Sequence, residues 1–148
     1  MYSVAYYNSY MNVRRRGFSL IELLVVIAII GLLASVAMAG LNIAREKARD
    51  ARRIQDVNEI KKALSLYLIS DNAFPIAVTS TVLTGEDAVS LALIGAGAFS
   101  TIPLDPLNPT YTYDYISNAD GTSYTLSFCL ETDSIPNYSE GCGNTISP

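Results

Sequence analysis

The feature that most limits what this chain can become is a run of 19 uncharged residues, Leu23 to Leu41, reading "LLVVIAIIGLLASVAMAGL". As a helix it spans roughly 28 Å, close to the hydrocarbon thickness of a bilayer. Cleaved secretory signals have shorter apolar cores, so the run is expected to be retained in the membrane. Arg14, Arg15 and Arg16 stand before it, and Glu22 lies inside the apolar stretch that begins at Phe18. A carboxylate there is expensive and requires a reason.

Charge is segregated along the 148 residues. All ten Lys and Arg lie between Arg14 and Lys62, and residues 71 to 148 hold nine acids and no base. Such a surface repels phosphate, so direct nucleic-acid binding by this acidic part is not expected. The chain has no histidine, which excludes His-based metal sites and nucleophile–histidine arrangements, and no cluster of catalytic acids replaces them. No enzymatic activity is expected. The two cysteines, Cys129 and Cys142, are separated by twelve residues. In an oxidising compartment they read as a disulfide, adding roughly 3 kcal/mol; in the cytosol they would be free thiols.

Beyond the apolar run, residues 42 to 69 contain no Gly or Pro. Ile54, Val57, Ile60, Leu64, Tyr67 and Leu68 recur at spacings of three and four, the stripe of an amphipathic helix. Arg52 with Asp56, Asp50 with Arg53 and Glu59 with Lys62 are opposite charges at helical spacing. One helix is therefore expected from Phe18 to about Ser70, stopped in "SDNAFP" by Pro75. A short helix is expected in "GEDAVSLALIGAG". "TYTYDYI" and "SYTLSFCL" alternate apolar and polar residues as strands do, and "SNADGT" between them carries the Asp120-Gly121 hairpin signal. The aromatic face of that hairpin is expected to pack on the second half of the long helix. Residues 1 to 13 show no period and read as leader, with Met11 as an alternative start to Met1.

"RRRGFSLIELLVVIAIIGLLA" resembles the N-terminus of type IV pilins and of the pseudopilins of type II secretion. Their pattern is a basic leader ending in Gly, then Phe, a small polar residue, Glu four positions after the Phe, and an apolar helix. The resemblance implies an α+β pilin fold: a long N-terminal helix and a small antiparallel β-sheet head. It implies four segments: a leader, 1–17; a transmembrane and filament-core helix, 18–41; the amphipathic half of that helix, 42–70; and an extracytoplasmic acidic head, 71–148.

The same resemblance implies a chemistry. A prepilin peptidase and methyltransferase would cut between Gly17 and Phe18 and methylate the new Phe18 amine. Arg14, Arg15 and Arg16 would hold the leader inside, leaving the C-terminus outside. Glu22 would meet the Phe18 amine of its own or a neighbouring subunit and set register during assembly at an inner-membrane platform. The expected partners are identical or related pilin subunits, with lipid around the helix before assembly. The expected product is a type IV pilus or a secretion pseudopilus; the alternative is a single-pass anchored binding domain that never polymerises. Arg52, Arg53 and the other bases of residues 45 to 62 are expected to face acidic heads of neighbours. Ala39 stands where many members carry proline, which argues for an unbroken helix. No cofactor is expected, except that major pseudopilins hold calcium in C-terminal loops, where Asp120, Glu131, Asp133 and Glu140 are candidates.

Overall fold

The computed structural model describes residues 17–148. Its elements are α1 (Leu20–Asp71), β1 (Thr81–Val82), α2 (Ala88–Gly95), β2 (Asp114–Ser117), β3 (Tyr124–Leu130) and β4 (Gly141–Ile146). The α+β layout expected from the sequence is the one found. The chain separates into two compact units, divided at Gly40. Met1, Met11 and Arg14 to Arg16 lie outside the described residues.

In the first unit, residues 20–39 of α1 are helical and every side chain from Phe18 to Met38 is exposed. By length and composition this stretch is apolar enough to cross a membrane, and none of it is buried. The helix begins at Leu20 rather than Phe18 because Ser19 caps it, and it ends at Asp71. The stop is made before Pro75. Asn72 adopts φ 58°, and its N–H donates to Leu68 O at 2.9 Å. Asn tolerates this left-handed geometry and closes the last turn.

In the second unit, a four-stranded antiparallel sheet in the order β1-β2-β3-β4 accompanies residues 40–71 of α1. The expected stripe is the helix contribution to the core: Val57, Ile60 and Leu64 are buried with Ala63, and Ile54, Tyr67 and Leu68 pack at the margin. Tyr113, Tyr115, Tyr124, Leu126, Phe128 and Leu130 supply the sheet side, and Val89 and Leu93 of α2 close the core. Each fully buried large side chain contributes about 1.5–3 kcal/mol relative to exposure. Tyr115 stacks on Tyr124 at 5.8 Å, Phe74 meets Tyr124 edge-on at 4.7 Å, and the Tyr115 hydroxyl donates to Pro75 O at 2.8 Å. α2 starts where Asp87 accepts the Ser90 N–H at 2.9 Å.

The expected hairpin is β2–β3, in register from Ser117↔Tyr124 to Asp114↔Ser127. β2 is shorter than "TYTYDYI" suggests. Thr110 N–H turns back to Leu107 O, and the Tyr111 ring leaves the sheet line to stack under Arg53. β1 and β4 carry no alternation readable in the sequence. β4 contains two glycines and is held against β3 by register and by the Cys129–Cys142 disulfide.

At the hairpin turn, Gly121 has φ +61°, and its carbonyl accepts the Phe74 N–H at 2.8 Å. A Cβ there would meet Phe74 O at 2.8 Å. Gly121→Ala is expected to destabilise the chain by about 1–3 kcal/mol, read as a lower midpoint in denaturant titration.

Candidate functional site

Gly17, Phe18 and Ser19 precede the helix as exposed, non-helical backbone. Among the described residues, a Cβ added at Gly17 would meet nothing within 4 Å. Phe18 is 81% exposed. Ser19 Oγ accepts the Glu22 N–H at 3.2 Å, and Ser19 O accepts the Leu23 N–H at 3.2 Å. Ser19 is thus the N-cap and Glu22 the third helical residue, the spacing of a capping box. Glu22 lies in the first turn, where a negative charge is favoured by the unpaired N–H groups of the helix start. Among the described residues it makes no ion pair. "SLIE" carries this capping signal openly, and reading it only as part of a processing motif hides it.

The second unit holds a buried ionic cluster. Arg53 is fully buried and donates four hydrogen bonds. Its Nε and Nη2 grip Asp105 Oδ2 and Oδ1 at 2.7 and 3.1 Å, and its Nη1 reaches Asp50 Oδ1 at 2.8 Å and Glu131 Oε1 at 2.6 Å. Its guanidinium carbon lies 5.0 Å from the Tyr111 ring centre. Arg49, one helical turn earlier, donates to both oxygens of Glu131. Asp50, also fully buried, accepts the Glu131 and Thr132 N–H groups at 2.9 Å and the Thr132 hydroxyl at 2.8 Å. Nothing buried is left without a partner among the described side chains. Burial works against the Arg53 charge, but hydrogen bonds to Asp105, Glu131 and Asp50 outweigh it and hold the guanidinium above its ordinary range. The Arg49 hydrogen bond, assisted by Arg53, brings the Glu131 carboxyl from the ordinary 4.5 down to about 2. Nearby, burial pushes Asp56 up despite the Tyr113 hydroxyl that donates to it at 2.9 Å.

This cluster corrects one expectation from the sequence. Arg53 has no exposed surface and cannot face a neighbouring molecule, whereas Arg52 is exposed. Asp50–Arg53 does pair at helical spacing, but as part of a contact between α1 and two loops rather than as surface support. Cys129 and Cys142 form the disulfide. Glu131 is engaged by the two arginines, Asp133 Oδ1 accepts the Glu140 N–H at 2.6 Å, and Asp120 lies in the β2–β3 turn. Among the described residues no three acids, cysteines or histidines gather as metal ligands.

The prokaryotic N-terminal methylation motif matches residues 12–38. Type II secretion system core protein G of Escherichia coli is 37% identical over 103 residues, 66% of this chain and 70% of that protein. The type IV wide pilus major component PilA4 of Thermus thermophilus is 36% identical over 111 residues, 75% of this chain and 70% of that protein. Core protein G of Pectobacterium carotovorum is 39% identical over 70 residues, and the chain spans only 45% of that relative. No solved structure matches the chain.

Arg53→Met is expected to cost about 3–5 kcal/mol, because Asp50 and Asp105 would remain buried without their cation. Because the folded-state pKa of Glu131 lies below its ordinary 4.5, its ion pair adds full stability above that pH and loses it as pH falls toward 2. Asp56, whose folded pKa is raised, has the opposite slope in the acid range. Acid titration followed by circular dichroism is expected to show a shallower loss of stability in Glu131→Gln than in the parent.

Proposed function

The chain belongs to the family of type IV pilins and type II secretion pseudopilins, and from that premise we propose that it is the precursor of a filament subunit. It is a structural protein of that family and not an enzyme. The observation that carries the filament reading is a helix whose large apolar side chains between Phe18 and Ile43 are exposed, most of it lying within the matched N-terminal methylation motif. A helix apolar on all sides needs lipid or a bundle of like helices around it.

In this reading the leader 1–17 is removed between Gly17 and Phe18, the Phe18 amine is methylated, and residues 18–41 pass from lipid into the filament core. The open, non-helical backbone at Gly17 and Phe18 suits a protease, which binds extended chain. Glu22 supplies the carboxylate that pairs with a Phe18 amine, its own or a neighbour's. Such a pair offsets the roughly 2.5–3.5 kcal/mol cost of a charge in the apolar layer. The head faces outward, in the compartment where its disulfide persists. Arg52 belongs to the surface offered to acidic heads, and Arg53 does not.

Mass spectrometry of sheared filaments tests the processing directly. The expected N-terminus is N-methyl-phenylalanine at Phe18, and an intact Met1 or Met11 terminus in the assembled form would sink the reading. Glu22→Ala is expected to leave insertion and head folding unchanged and to abolish filaments seen by electron microscopy. An anchored binding domain that never polymerises would be indifferent to that change. Arg52→Gln is expected to lower filament yield with at most a small fall in the melting temperature, since Arg52 also faces the Asp56 carboxylate.

A further inference from the structure

We propose that the guanidinium groups of Arg49 and Arg53 take the place that a calcium ion would have in the C-terminal loops, so that the second unit folds without a divalent cation. The donor set is the first ground. A calcium site needs about six to eight oxygens brought to one point. Of the four acids that the family resemblance nominates, Glu131 has both oxygens committed to arginine, Oε1 to Arg49 and Arg53 and Oε2 to Arg49. Asp133 and Glu140 are exposed, and Asp120 is on a different turn. Asp133, Glu140 and Glu46 do border one open cleft with Glu131, but the carboxylate of Glu131 is turned to the arginines. The residues present do not fit a calcium ion.

What they fit is an internal cation. Arg53 gathers Asp105 from the loop before β2 and Glu131 from the end of β3, and it pairs with Asp50 on its own helix. Asp50 in turn receives the backbone of residues 131 and 132. Two loop segments therefore converge on positive charge carried by α1, as loops converge on a bound metal. A guanidinium keeps its charge at all relevant pH values and presents a planar fork that matches carboxylates two at a time. The disulfide closes the base of the same β3–β4 loop, joining Cys129 of β3 to Cys142 of β4. Since the cation is covalent, the stability of this unit has no mass-action dependence on calcium, which a metal-held loop always has.

The test is thermal unfolding of the full chain in detergent micelles, in EDTA and in about 5 mM calcium chloride, above the dissociation range of extracellular calcium modules. The expected result is one midpoint for both conditions. Glu131→Gln is expected to lower the midpoint by on the order of several degrees, equally in both. Calcium that raises the midpoint of the parent chain would overturn the proposal. So would calorimetry showing saturable calcium binding that Glu131→Gln removes. If Glu131→Gln does not fold, the parent chain still decides between these outcomes. Filament formation has no part in the readout, so the result stands apart from the filament reading.

Discussion

One buried guanidinium sets the arrangement of the second unit. Arg53 sits at 0% exposure with carboxylates around it, and its position fixes where three separate chain segments meet. Apolar packing alone is tolerant of small slides, because burial is roughly proportional to area and has no direction. A two-pronged contact from Arg53 to Asp105 is not tolerant: a shift of α1 by one residue leaves charges unpaired in the interior. The aromatic face of β2 and β3 holds the helix against the sheet, and the ionic cluster says which turn of the helix lies there. Removing the water from such groups costs free energy, so the cluster is better read as a device for uniqueness than as a reservoir of stability.

Much of this is legible in the sequence. The stripe from Ile54 to Leu68 and the alternation from Tyr124 to Leu130 are periodic signals, and both appear as the two halves of one core. Arg53 misleads for a physical reason. Its spacing from Asp50 is that of a solvent-facing helix pair, and spacing does not say whether a loop such as residues 101–110 will fold over it. β4 escapes sequence reading because its side chains do not define it; a disulfide and the register of β3 do. Tyr111 continues an alternation and so reads as strand, but a cation close by offers its ring a better contact than the sheet edge. In each case a long-range partner overrides a local pattern.

Glu22 shows the reverse situation. From composition it is an anomaly in an apolar stretch, and a functional reading suggests itself first. The structure adds a local one, since Ser19 and Glu22 together begin the helix. The two are compatible. A cap that starts α1 at Leu20 keeps Gly17 and Phe18 outside the helix and holds the carboxylate on its first turn, close to the chain end that processing would create.

The exposed apolar side chains between Phe18 and Ile43 have a consequence for energetics. To such a helix, hydrocarbon tails and the flanks of other apolar helices are nearly equivalent solvents. Transfer between them changes the hydrophobic contribution very little, although either is far better than water. In the proposed filament reading, the direction of that exchange would be decided by small differences in polar contacts and in external work, and the helix would pass between the two surroundings without ever meeting water.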